Sequence, residues 1–251
     1  MIVQKRYFVE LAFKGTAYHG WQIQLNAHSV QEEINNAFSK ILRHPIETMG
    51  SGRTDTGVHA SQQFLHFDTH VEIIKSDFLK RANSVLPKDI AIYDIREVLD
   101  SAHARFEALW RSYEYHITLR KEPFLEEQAW YCLYKVDVEK MNEAAALLLD
   151  HTDFECFSRV KTNVNNFNCK IKSAYWEQKS QHLIFHITAN RFLRGMVRAI
   201  VGTLVQVGMD KIDHEDFKMI LLSQKRSKAG SSAPPHGLFL SKVTYPEHIY
   251  I

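Results

Sequence analysis

Two stretches near the start, Arg6-Tyr-Phe-Val-Glu-Leu-Ala-Phe13 and Ser29-Val-Gln-Glu-Glu-Ile-Asn-Asn-Ala-Phe-Ser-Lys-Ile41, decide how the chain is to be read. In the first, Tyr7, Val9, Leu11 and Phe13 alternate onto one side, the period of a strand with one buried face. In the second, Val30, Ile34, Phe38 and Ile41 fall on one helical stripe, and Ser29 with Glu32 spells a capping box, so a helix begins at Val30. Further along, short strands are expected at 46–49 and 63–68. A second helix, capped by Ser76, runs to Leu86-Pro87, where the residue before proline disfavours helix, and a strand covers 90–98. Strand, helix, strand, strand, helix, strand is the split βαβ order of ferredoxin-like and RNA-recognition folds.

The second half repeats this order in pattern though not in sequence. Residues 111–119 alternate as a strand, 138–149 read as a helix behind Asp137, and strands follow at 171–177 and 183–188. A long helix is expected after Asn190, a short one behind Asp213, and a closing strand over 237–245. The fold class is therefore α+β, two ferredoxin-like halves with largely antiparallel sheets and a junction near residues 102–107. The expected domains are 1–105 and 106–251.

Composition excludes several classes. Of 251 residues 45% are apolar and 24% charged, with 10 Gly and 6 Pro and no low-complexity run, so collagen-like and largely disordered readings fall away. No apolar run is long enough to cross a membrane, and MIVQKRYFVE has no basic region followed by an apolar one, so a cytoplasmic protein is expected. Cys132, Cys156 and Cys169 lie far apart without a C-x-x-C pair. His66 and His70 lack an H-E-x-x-H context, so neither a disulfide scaffold nor a metal site is expected.

Charge is unevenly spread. Between Cys156 and Ile200, Arg159, Lys161, Lys170, Lys172, Lys179, Arg191, Arg194 and Arg198 face one acid, Glu177, a net +7 against −5 for the rest of the chain. Such a segment suits phosphate binding, and equally a solvated basic face. On the long helix, Leu193, Val197, Ile200 and Leu204 are spaced to face a core, while Arg191, Arg194, Gly195, Arg198 and Gly202 share the other side. Arginine's planar fork fits phosphate, although a solvated helix surface reads the same way.

The densest unusual segment is Gly50-Ser-Gly-Arg-Thr-Asp-Thr-Gly-Val-His59, where three glycines constrain a loop holding Arg53 and Asp55. An Asp beside an Arg stays ionised and oriented, as a carboxylate nucleophile or charge stabiliser must. An Asx-type turn that only satisfies backbone N–H groups would have the same composition. Asp55-Thr56-Gly57 also spells the D-T-G of aspartic proteases, but that chemistry needs two carboxylates sharing a proton and the chain carries the triplet once. Tyr113 begins the strand after Arg111, where its ring suits either core packing or stacking on a base.

Ser51-Gly-Arg-Thr-Asp-Thr-Gly-Val-His-Ala60 closely resembles the G-R-T-D-x-G-V-H-A signature of the TruA family of tRNA pseudouridine synthases. Further matches follow in the family's order: Tyr18-His-Gly-Trp-Gln22 with Ser29-Val-Gln-Glu32, Asn83 with Leu86-Pro87, His103-Ala-Arg-Phe106, Arg111-Ser-Tyr-Glu-Tyr115, Asp153-Phe154 with Phe157, Met196-Val-Arg198 with Val201-Gly202, and Ala233-Pro-Pro-His-Gly-Leu238. The resemblance spans about residues 6–246. It implies isomerisation of uridine in the anticodon arm of tRNA, at positions 38 to 40, by a homodimer without a cofactor and with no DNA or membrane partner. By the same resemblance Asp55 is the catalytic carboxylate. Arg53 pairs with it and helps fill the space left by the everted nucleotide. Tyr113 meets the target base; Arg198, in Met-Val-Arg, is the choice for a second active-site or RNA contact, and the basic pattern adds Arg191 and Arg194 on the RNA side. Cys156 in place of Ser, Trp110 in place of a small residue and Thr56 in place of Ala depart from the family pattern. The reading from another class is a tRNA-binding folding helper on the same scaffold without turnover, for which loss of Asp55 would argue.

Overall fold

The computed structural model describes residues 4–160 and 164–251, so Lys161 of the basic segment lies outside the described residues. The chain divides into two compact units, one of residues 1–109 with 240–251 and one of residues 110–239.

The first unit follows the expected order: β1 (Lys5–Phe13), α1 (Val30–Leu42), β2 (Met49–Gly50), β3 (His59–Thr69), α2 (Lys75–Val85) and β4 (Ile90–Val98). β1 lies between β3 and β4, antiparallel to both, and β2 pairs antiparallel with the far side of β3. The Ser29 hydroxyl accepts from the Glu32 N–H at 3.4 Å, and Val30, Ile34, Phe38 and Ile41 are buried as their spacing requires. Phe38 of α1 and Phe78 of α2 both pack on Phe67 of β3, with ring centroids 5.3 and 6.1 Å away, which seats the two helices on one face of the sheet. α2 starts a residue before Ser76, behind Ile74, and has no side-chain cap. Its burial through Phe78 and Ala82 holds the helix where local capping does not.

Residues 240–251, placed by sequence in the 106–251 domain, belong to the first unit. Tyr245 sets its ring edge-on against Phe8 and Phe64 at 5.1 and 5.2 Å, on the sheet face opposite the helices. Leu99 N–H donates to the Ile249 carbonyl at 2.9 Å, so the C-terminus completes that face. Such partners lie far apart along the chain and leave no local periodicity to read.

The second unit holds β5 (Trp110–Thr118), β6 (Trp130–Tyr131), α3 (Val138–Ala146), β7 (Ile171–Lys179), β8 (His182–Ala189), α4 (Met196–Gly208) and α5 (His214–Ser223). β9 (Leu238–Thr244) returns the chain to the first unit. β8 pairs antiparallel with β5 and β7, and the short β6, not expected from sequence, runs parallel to β5. α5 carries a complete capping box between Asp213 and Asp216.

The long helix is a correction. It starts at Met196, not after Asn190, because Gly195 adopts φ +71° and breaks the helical path just before it. Ahead of that glycine the chain lies outside any helix or strand, with Asn190 N–H donating to the Lys170 carbonyl, Arg159 N–H to the Arg194 carbonyl, and Met196 N–H closing a turn onto the Leu193 carbonyl. Arg191 and Arg194 therefore precede α4 and share no helical face with Arg198. Gly202, assigned to the open side, is buried; a Cβ there would stand 1.9 Å from the Ser231 carbonyl oxygen. α4 is buried nearly all round.

Candidate active site

Asp55 sits in the loop between β2 and β3, and backbone contact fixes that loop's path. A Cβ on Gly15 would stand 1.9 Å from the Val58 carbonyl oxygen, one on Gly20 2.3 Å from that of Thr54, and one on Gly50 2.4 Å from Trp21 Nε1. Residues 15–21 and 50–59 thus lie against each other at separations that only glycine permits. Gly20 (φ +90°) and Gly57 (φ +77°) also take left-handed conformations. Across the contact, Gly57 N–H donates to the Tyr18 carbonyl at 3.3 Å and Gly15 N–H to Nδ1 of buried His59 at 2.9 Å. Inside the loop, Val58 N–H donates to the Asp55 carbonyl at 3.2 Å, and the Gln63 amide to the Gly52 carbonyl at 3.3 Å.

The supporting segment is itself anchored. Val30 and Gln31, in the first turn of α1, donate to the Gly20 and Trp21 carbonyls. The Tyr18 hydroxyl donates to Asp89 at 2.7 Å, and burial, then the Asp89 carboxylate, pushes its pKa up. On this mount Asp55 is half-buried and Arg53 exposed. Gly15, Gly20 and Trp21 were given no functional role by sequence. The available signal was a pair of glycines with no hairpin to explain them, which marks a close backbone approach.

In the second unit Tyr113 lies on β5 opposite Ile187 and meets Phe192 edge-on at 5.0 Å. Tyr115 is fully buried and donates to the Pro234 carbonyl at 2.8 Å, and burial drives its pKa up. Arg198 donates from Nε to the Ala233 carbonyl at 2.7 Å while its own carbonyl accepts from Ala233 N–H. Arg191 reaches Asn166 Oδ1 at 3.3 Å. The backbone pairing of residue 159 with 194, and of 170 with 190, gathers Arg159, Lys170, Arg191 and Arg194 around the segment that leads into α4. Lys179, in contrast, is paired with Glu177 at 2.9 Å, and Lys172 lies 5.2 Å over the Trp110 ring.

A model of the family described as tRNA pseudouridine synthase matches residues 144–246. The chain is 47% identical over 250 residues to tRNA pseudouridine synthase A of Porphyromonas gingivalis, covering 98% of this chain and 99% of that protein. It is 46% identical to the protein of the same name from Bacteroides fragilis (98% of each) and 42% identical to that of Treponema denticola (98% and 95%). The chain belongs to the tRNA pseudouridine synthase A family. The synthase model reaches Arg191, Arg194 and Arg198, whereas the full-length relatives also span Arg53, Asp55 and Tyr113.

The departures from the synthase pattern sit at unlike places. Cys156 is fully buried, and burial pushes its thiol up to about 12; Cys169 is raised to about 11 by the same cause. Neither is a thiolate near neutrality, so nucleophilic sulfur chemistry is not offered by these positions. Trp110 is half-buried beneath Lys172, and Thr56 is exposed beside Asp55. Among the described residues, no group of three or more His, Cys, Asp and Glu is arranged to hold a metal.

Proposed function

We propose that this synthase isomerises uridine to pseudouridine in the anticodon stem-loop of tRNA, at positions 38 to 40, with Asp55 as the catalytic carboxylate. The observation that carries the reading is the mounting of Asp55 on a loop seated backbone to backbone against residues 15–21. A reacting carboxylate must be held within a fraction of an ångström, and a contact with no side chain between the two backbones has little room to shift.

The reaction conserves every atom. The N1–C1′ bond breaks, the uracil turns, C5 bonds to C1′, the C5 proton leaves and N1 gains one. No electrons are exchanged, so no redox cofactor is called for. Asp55 acts either at the sugar carbon or through the base. Everting a stacked uridine costs a few kcal/mol, which backbone contacts made elsewhere must supply. The segment gathering Arg159, Lys170, Arg191 and Arg194, together with Arg198, is suited to those contacts. In this reading Arg53, exposed two residues before Asp55, occupies the space the nucleotide vacates, and Tyr113 meets the target base. The proposed setting is a homodimer in the cytoplasm; no described helix is long and apolar enough to cross a membrane.

The test is tritium release from an anticodon-arm transcript labelled at C5 of uridine, comparing wild type with Asp55→Ala. Release by the wild type, and none by a variant that still binds the RNA, supports both the activity and the role. Binding without release by the wild type points instead to a tRNA-binding protein on the synthase scaffold.

A further inference from the structure

The turn at residues 102–106 presents an aromatic ring to solvent on a firm mount. Arg6, gripped through two nitrogens by both Asp68 oxygens at 2.7 Å, donates to the Ala102 carbonyl at 2.9 Å. Ala104 N–H donates to Nδ1 of buried His66 at 3.1 Å, and the Ala104 carbonyl accepts from the Tyr245 hydroxyl. Within the turn, Arg105 and Phe106 N–H groups donate to His103 Nδ1 and the His103 carbonyl, each at 3.1 Å. Rings then run outward in a column: His66 to His103 at 4.6 Å, His103 to Phe106 at 4.3 Å, and the Arg105 guanidinium over Phe106 at 5.7 Å. Phe106 ends the column 73% exposed.

A single exposed phenylalanine is ordinary on a protein surface. This one differs because residues 6, 66 and 245 all fix the backbone that carries it, and because its exposed ring adds little to the core. The mechanism around Asp55 uses none of the turn, although His103-Ala-Arg-Phe106 is among the sequence's distinctive motifs. A largely exposed aromatic ring on a hydrogen-bonded backbone, with a guanidinium beside and over it, is the kind of surface on which unpaired bases stack, whatever their identity, while the cation attracts the backbone phosphate.

We infer that Phe106 with Arg105 forms a stacking platform for an unpaired base of the tRNA substrate, an inference that rests on the synthase reading above. Burial lowers the His66 pKa to about 4 and also lowers that of His103, so the column beneath the platform is uncharged near neutrality and adds no repulsion.

Phe106→Ala is expected to weaken tRNA binding and raise the KM for tRNA about tenfold. Phe106→Trp restores both values, and Phe106→Leu, apolar but without a π face, stays near the alanine variant. A Phe106→Ala protein that binds tRNA like the wild type overturns the platform, as does a leucine variant equal to the tryptophan one. The synthase reading fails on a different result, the absence of tritium release by the wild type, and the binding comparison reads the platform in either case.

Discussion

The carbonyl oxygen of Thr54 lies 2.3 Å from the point where a Cβ on Gly20 would stand, so the residue before Asp55 rests directly on glycine backbone. With Gly20 at φ +90°, an alanine there meets both a collision and an unfavourable backbone conformation. Gly20→Ala is expected to cost roughly 1–3 kcal/mol in thermal or urea unfolding. It should also slow tritium release by displacing Asp55. Gly52→Ala, whose Cβ would meet nothing within 4 Å, is the control and should stay within about 0.5 kcal/mol of the wild type. Equal effects from the two substitutions would refute the seating argument.

Removing the buried Tyr115 hydroxyl leaves the Pro234 carbonyl without its donor. Tyr115→Phe should lower stability by about 1–2 kcal/mol, read as a lower Tm at an unchanged denaturant m-value.

Stability should fall as the solution is acidified from about pH 6.5 to pH 4. Burial lowers the His66 pKa from 6.5 to about 4, so across that window the unfolded chain binds a proton that the folded chain refuses. The folded state is favoured above the window, and the loss, on the order of 3 kcal/mol for this histidine, levels off below pH 4. His66→Gln should flatten the slope of unfolding free energy against pH. A residual slope of the same sign remains from His103 and His236, whose pKa values burial also lowers.

Arg191 and Arg194 lie in the segment just before α4 and are among the residues proposed to meet RNA phosphates. Changing both to Gln should weaken tRNA binding at low salt and reduce the slope of log K against log salt by about 1 for each phosphate no longer neutralised. A slope unchanged from the wild type would move the RNA-binding surface elsewhere.

Local chemistry made much of the first unit legible. The alternation of Tyr7, Val9, Leu11 and Phe13 and the cap of Ser29 over the Val30, Ile34, Phe38 stripe each depend on neighbours within a turn or a strand, and these are where β1 and α1 stand. The glycine-rich setting of Asp55 and the basic excess between Cys156 and Ile200 were visible for the same reason: composition alone displays them.

What the sequence by itself determined was the order of the longer elements, the α+β class and which loop carries the candidate carboxylate, since period, capping and residue type are written residue by residue. Tertiary structure alone decided that α4 waits for Gly195. The apolar stripe runs back to Leu193, but the pairing of residues 159 and 170 with 194 and 190 holds that stretch out of the helix. It also decided that residues 240–251 close the first unit, through Tyr245 on Phe8, and that Gly15 and Gly20 seat the Asp55 loop. In each case the controlling partner lies tens of residues or more away in the chain. The free energy of such a contact comes from burial and close approach, and no window of local sequence contains both of its sides.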